Sequence, residues 1–289
     1  MPTLVFDGIA YGMLLFILAV GLSVTLGLMN FINLAHGAFA MLGGYLTVAF
    51  TQRLGVPFVP AILLAFLATG LVGAVLERLL YRPMYQRSHL DQVLFSIGLV
   101  FMSVAATDWL VGSQQQNIHL PGWLQGRSEF GEGALGMGHY RLFIIAVCAL
   151  LVLGLQAILS RTRFGARLRA SVDDARVAAG LGIDVNRVFS LTFAVGSGLA
   201  GLGGALGAEV LGLDPSFPLK FLVYFLIVVA VGGTSSVTGP LLAALLLGLA
   251  DVGGKYFIPK LGAFIVYALI IALLLWRPNG LFSRGGSGR

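Results

Sequence analysis

Long uncharged stretches separated by short arginine-rich clusters set the pattern of this chain. From Gly8 to Gln52 there is no Asp, Glu, Lys or Arg. As continuous helix that stretch would reach about 67 Å, roughly twice the hydrocarbon thickness of a bilayer, so it must fold back once. The only polar cluster within it, Met29 to Asn33 followed by His36 and Gly37, marks the return. Span one is expected at 7–28 and span two at 34–50. Further uncharged runs follow at Pro57–Leu76, Val93–Thr107, Leu142–Ser160 and Val188–Ala208. Phe221–Ala250 would be about 45 Å long as helix, but Gly232 to Ser236 and Gly239-Pro240 interrupt it, which predicts two short helices and a tight break. Leu261–Trp276 is the last span, ended by Arg277 and Pro278. Between the fourth and fifth spans, 112–140 is rich in Gly, Gln and Ser and reads as an external aqueous loop with Trp123 at the interface. The prediction is an all-α polytopic membrane protein with about 8–9 transmembrane helices, some broken or re-entrant, in one transmembrane domain over residues 1–289.

Composition agrees. Of 289 residues 58% are hydrophobic and 10% charged, against about 25% charged in a soluble domain, and the mean hydropathy is +0.94. Most arginines cluster at Arg78–Arg87, Arg161–Arg187 and Arg277–Arg289, which the positive-inside rule puts in the cytoplasm. Arg53, Arg127, Arg141, Lys220, Lys255 and Lys260 fall opposite. An odd number of spans then places the N-terminus outside and the C-terminus in the cytoplasm. The net charge of +6 is explained by these loops without a nucleic-acid partner. The first apolar run is too long for a cleavable signal sequence, and the single Cys148 permits no internal disulfide.

Four features are candidates for function. Within the polar segment 161–187, Ser171 is expected to cap a short helix opened by Val172, Asp173 and Asp174, with Val172, Ala175, Ala179 and Gly182 as its small-residue face. Ala178 belongs to the same segment, which is either a surface loop or a docking element for a partner. Asn33, His36 and Gly37 lie at or near membrane depth, where polar groups are costly unless paired or wetted. They either stabilise span two, Asn33 as its cap and His36 bonded to a backbone carbonyl, or line a translocation path. Thr234, Ser235 and Ser236 occupy the break in 221–250 and belong either to a cavity or to a turn. Gly196, Ala200, Gly204 and Ala208 recur every four residues and, with Gly203 and Gly207, make a stripe suited to close helix packing.

The stretch Arg161-Thr-Arg-Phe-Gly-Ala-Arg-Leu-Arg-Ala170, with Ala178-Ala-Gly-Leu-Gly-Ile183 after it, resembles the cytoplasmic coupling loop of the branched-chain amino-acid permeases of ATP-binding-cassette importers. Asn33-Leu-Ala-His-Gly-Ala-Phe39, Gly43-Gly-Tyr45 and Arg277-Pro-Asn-Gly-Leu-Phe282 extend the similarity to LivH-type subunits along nearly the whole chain. Gly44 stands where the family often has Ala. The resemblance implies a LivM-type second permease, two cytoplasmic ATPase subunits that use ATP and Mg, a periplasmic amino-acid binding protein and a location in the bacterial inner membrane. It makes 171–182 the ATPase-coupling helix. No G-x-x-x-x-G-K-[ST] loop occurs in the chain, so ATP hydrolysis and its cofactors are expected elsewhere, and the chain itself is expected to be neither an enzyme nor a cofactor protein.

Two other classes fit less well. An intramembrane hydrolase built on Ser197 would need an activating base, and no motif ties His36 to it. Ion-coupled transport usually leaves acidic residues within the spans, and none is expected mid-span here. Urea, short-amide and other small-solute permeases remain as alternatives for the substrate.

Overall fold

The computed structural model describes residues 1–29, 31–130, 135–233 and 236–276. Its helices are α1 (Pro2–Met29), α2 (His36–Val48), α3 (Phe58–Leu76), α4 (His89–Val111), α5 (His139–Arg161), α6 (Arg163–Asp173), α7 (Ala175–Gly180), α8 (Val185–Leu211), α9 (Phe217–Gly232), α10 (Thr238–Phe257) and α11 (Gly262–Trp276). The protein is a polytopic, largely helical membrane protein. Among the described residues six helices are long and apolar enough to cross a bilayer: α1, α3 with its continuation to Met84, α4, α5, α8 and α10. The apolar α9 and α11 are shorter, and α2 gains one π-helical turn, Ala49–Arg53.

The expected return after Met29 is present, since α1 ends there and α2 starts at His36. The expected break in 221–250 is also present: Gly233, in the left-handed region at φ 76°, ends α9, and α10 starts at Thr238. A Cβ at Gly232 would approach the Pro240 backbone to 2.5 Å, so the two helices meet at a point only a glycine permits. One element departs from the all-α expectation. Part of the polar segment 112–140 pairs as a short antiparallel hairpin, β1 (Arg127–Phe130) with β2 (Leu135–Gly138).

The centre of the bundle is α8. Its small residues let three helices reach its backbone: α1 at Gly196 and Gly203, α2 at Gly201 and Gly204, and α3 at Gly198 and Gly201. Ala200 and Ala208 are fully enclosed. A Cβ on Gly204 would overlap the Ala40 carbonyl, and one on Gly43 would overlap the Gly201 backbone. Without a hydrophobic drive inside a bilayer, such backbone-to-backbone approach supplies the dispersion energy that holds helices together. On its other side α1 packs antiparallel to α10, through Gly8 against Leu249 and Gly12 against Ala244 and Leu245.

Acidic residues do occur within the long helices, each just past the end of an uncharged run rather than mid-run. Asp251 of α10 is buried and paired with Lys255 at 2.6 Å, with the Tyr224 hydroxyl donating to it at 3.3 Å. Glu77, where α3 passes into a π-helical turn (Glu77–Tyr81), is fully buried. Both escape a charge-based reading because each lies at the polar margin of its run and is neutralised by a basic residue four or five positions on.

Candidate functional site

The stretch before and within the first turn of α2 is where sequence and structure converge. His36 is buried, and its Nε2 donates to the Leu18 carbonyl of α1 at 2.9 Å. Its ring stands edge-on to Phe225 of α9. Gly37 faces α9 too, where a Cβ would come within 2.9 Å of Pro218 Cα. His36 and Gly37 therefore fasten α2 to α1 and α9.

Asn33 does something else. Ala35 occupies the N-cap position of α2 without any side-chain cap, so Asn33 is not the expected cap. Its Oδ1 accepts from the hydroxyl of Tyr81 at 3.2 Å, across from the π-helical turn. A neighbouring contact, Ile32 N–H to Gln92 Oε1 at 3.3 Å, ties the same return to α4. Gln92 Nε2 in turn donates to the Met84 and Arg87 carbonyls, both at 3.3 Å, so one buried amide closes the connection between α3 and α4. Gln92 directly precedes the uncharged run Val93–Thr107. Its signal was a neutral polar residue among apolar ones at a helix start, which does not by itself show a partner.

A cavity of about 530 Å³ opens beside this return, between α2, α3 and α4. Ala35, Ala38 and Phe39 form one wall, Val72, Leu76 and Tyr81 another, and Leu99, Met102 and Ser103 the third. The volume lies in the range of about 300–1,000 Å³ usual for small-molecule sites, and the lining is almost wholly apolar. Asn33, His36 and Gly37 do not share it as a common wall: the alternate face of the same segment does, through Ala35, Ala38 and Phe39. Thr234 and Ser235 lie outside the described residues. Ser236 is exposed, and its Oγ accepts from the Gly239 amide at 3.2 Å, which starts α10.

The polar segment after α5 differs from its expected form. Ser171 is not a cap. It lies buried within α6, its hydroxyl donating back to the Arg167 carbonyl at 2.8 Å. Thr162 caps α6 instead, accepting from the Gly165 amide at 3.2 Å. Val172 and Asp173 close α6 rather than open a helix. The chain turns at Asp174, which caps α7 by accepting from the amides of Arg176 and Val177 at 2.8 and 3.0 Å. A β-configured Asp174 (φ −154°, ψ 105°) breaks the helix that propensity alone would continue. Of α7, Ala178 turns inward, while Ala175, Val177, Ala179, Leu181 and Gly182 are exposed. Gly182, at φ 83°, ends the segment just ahead of α8.

Buried backbone-to-backbone helix packing, broken apolar helices and a solute-sized apolar cavity among them define a multi-pass membrane protein of the transport kind. The chain belongs to the family described as "Branched-chain amino acid transport system / permease component", whose profile matches residues 4–274. It is 28% identical to the high-affinity branched-chain amino acid transport system permease protein BraD of Pseudomonas aeruginosa, over 96% of this chain and 94% of that one. It is 26% identical to LivH of Escherichia coli over the same shares, and 25% identical to a probable LivH of Methanocaldococcus jannaschii over 92% of this chain and 86% of the other. No solved structure matches the chain.

Proposed function

We propose that this chain is a LivH-like permease subunit of an ATP-binding-cassette importer that carries branched-chain amino acids across the bacterial inner membrane. The observation that carries the reading is the end-to-end family match, from residue 4 to residue 274, with relatives named for branched-chain amino acid transport over 96% of the chain. An apolar cavity beside the α2 return suits an aliphatic side chain, and the chain has no phosphate-binding loop of its own. It works with a LivM-type second permease, two ATPase subunits that use ATP and Mg, and a periplasmic amino-acid binding protein, its C-terminus in the cytoplasm. The short α7, with Val177 and Leu181 exposed beside Arg176, is the contact for the ATPase.

The test is uptake in proteoliposomes that hold this chain with its partner subunits. Leucine, isoleucine and valine should accumulate with ATP and binding protein present, and no ATPase activity should appear for the isolated chain. Uptake of urea or short amides in preference to leucine would overturn the substrate. For the ATPase contact, Asp174→Lys removes the α7 cap, worth about 0.5–2 kcal/mol to the helix, and should uncouple hydrolysis from uptake more than Asp173→Lys does. Equal, full transport in both variants would place coupling in another loop.

A further inference from the structure

Glu77 has no part in lining the cavity, yet it is among the most fully buried charged groups of the described residues. Four donors from three directions meet its carboxylate. The Ser190 hydroxyl donates to Oε2, Arg82 reaches it through Nε at 3.4 Å and Nη2 at 3.3 Å, and the Tyr85 hydroxyl donates to Oε1 at 3.1 Å. Arg82 Nη2 also donates to Ser190 Oγ at 2.8 Å, so carboxylate, guanidinium and hydroxyl form a closed ring. With the carboxylate fully buried and Arg82 37% exposed, the pair is a weak source of stability, because taking the carboxylate out of water offsets much of the attraction. What it supplies is a fixed relation between the parts it joins.

Those parts are specific. Ser190 lies in the second turn of α8, and α8 begins only a few residues after α7, so Ser190 stands close along the chain to the polar segment 161–187. Glu77 opens the π-helical turn whose last residue, Tyr81, holds Asn33 and forms part of the cavity wall. One five-residue turn thus has α8 at one end and the α2 return at the other. A π turn carries i→i+5 hydrogen bonds where the α-helix has i→i+4, and such single turns inside α-helices are frequent at functional sites.

We propose that Glu77 is a positioning residue that couples α8 to the α2 return: through Ser190 and Arg82 it makes movement at the start of α8 turn the Glu77–Tyr81 segment, and with it the Tyr81–Asn33 contact at the cavity. The proposal rests on the importer reading above. Its test uses the complete complex in proteoliposomes, with leucine uptake and ATP hydrolysis measured in the same vesicles and divided by the amount of assembled complex. Glu77→Gln keeps the size of the side chain and removes its charge. It should lower uptake per ATP hydrolysed by about five-fold or more, the low end of measured couplings between sites, at unchanged complex yield. Ser190→Ala should lower it in the same sense, and the double variant should be no worse than Glu77→Gln alone, since both break one ring.

An unchanged uptake-to-hydrolysis ratio in Glu77→Gln, or losses that simply multiply in the double variant, would overturn the proposal. So would a loss of uptake fully accounted for by loss of assembled complex. Should Glu77→Gln not assemble, Ser190→Ala and Tyr85→Phe each remove one donor from outside the turn, and an unchanged ratio in both overturns it equally. Failure of the wild-type vesicles to take up leucine is a different result, which removes the importer assignment itself.

Discussion

Helices α8 and α4 are both long enough to cross a bilayer, and α4 is the more apolar of the two, yet 78% of the most apolar stretch of α8 is buried against 11% of that of α4. In water the more apolar helix would go to the centre. In lipid, side-chain size decides, because lipid tails solvate leucine as well as another protein does and only close backbone approach favours protein contact. α8 presents Gly196, Ala200, Gly203, Gly204 and Gly207 to its neighbours, whereas α4 presents Leu94, Phe101 and Trp109 to its surroundings. The buried residues of α4 are its polar and smaller ones, Gln92, Ser96 and Val100, while Phe95 packs edge-on against Tyr81. This leaves the apolar cavity on its inner side.

The comparison is most easily broken at glycine. Gly204→Leu should be the most damaging change, because even a Cβ there overlaps the Ala40 carbonyl and neither backbone can retreat. The cost should be about 3 kcal/mol or more, read as loss of folded protein in detergent and of assembled complex. Normal yield would mean that α8 is not the packed centre. Next in size is His36→Ala, which removes a buried hydrogen bond to Leu18 and leaves a void among α1, α2 and α9, at about 2–3 kcal/mol. Complex yield and uptake should fall together, with uptake per assembled complex retained. A selective fall in uptake per complex would instead put His36 on the path.

Tyr140→Phe tests the edge of the α8 region at lower cost. The Tyr140 hydroxyl donates to the Leu206 carbonyl at 2.7 Å and ties α5 to α8, so its loss should cost about 1 kcal/mol in thermal unfolding. On α4 the sign should reverse. A Cβ on Gly98 meets nothing within 4 Å, so Gly98→Ala should stabilise by about 0.5–1 kcal/mol through helix propensity alone. A destabilised Gly98→Ala would show that a neighbour reaches α4 at that point.

The smallest effect belongs to the connection between α8 and α9. Burial works against the Asp214 carboxylate there, but hydrogen bonds from Lys220 and Ser216 outweigh it and hold the group below its ordinary 3.8. A depressed carboxyl stabilises the fold above its unfolded value and loses that contribution as pH falls through the folded one. Unfolding should therefore become easier below pH ~4, by less than about 1 kcal/mol because Lys220 is half exposed, and Asp214→Asn should remove this part of the pH dependence.

Much of this architecture is local enough to be read directly from the chain. Uncharged run length against bilayer thickness placed the return after Met29 and the break near Gly233, because both are one-dimensional constraints. The four-residue spacing of small residues in Val188–Ala208 likewise marked a face for close packing, though not which helices would use it. The polar segment 161–187 was legible as helical but not in its register. Ser171 and Asp174 are both good caps, and only the packing of Leu168 and Ala178 against the bundle chooses Asp174 as the turn and sends Ser171 inside.

What the sequence by itself determined is the helical, membrane-spanning character, the small-residue face and the kinship, all of which are read along the chain. Tertiary structure alone decided that Asn33 meets Tyr81, 48 positions away, and that Glu77 meets Ser190 across 113. It also decided that the cavity takes Ala35 and Phe39 rather than His36. The reason is physical. Within a bilayer a polar side chain must find whichever partner the helix packing brings near it, and that partner is set by crossing geometry, which no single run of residues encodes.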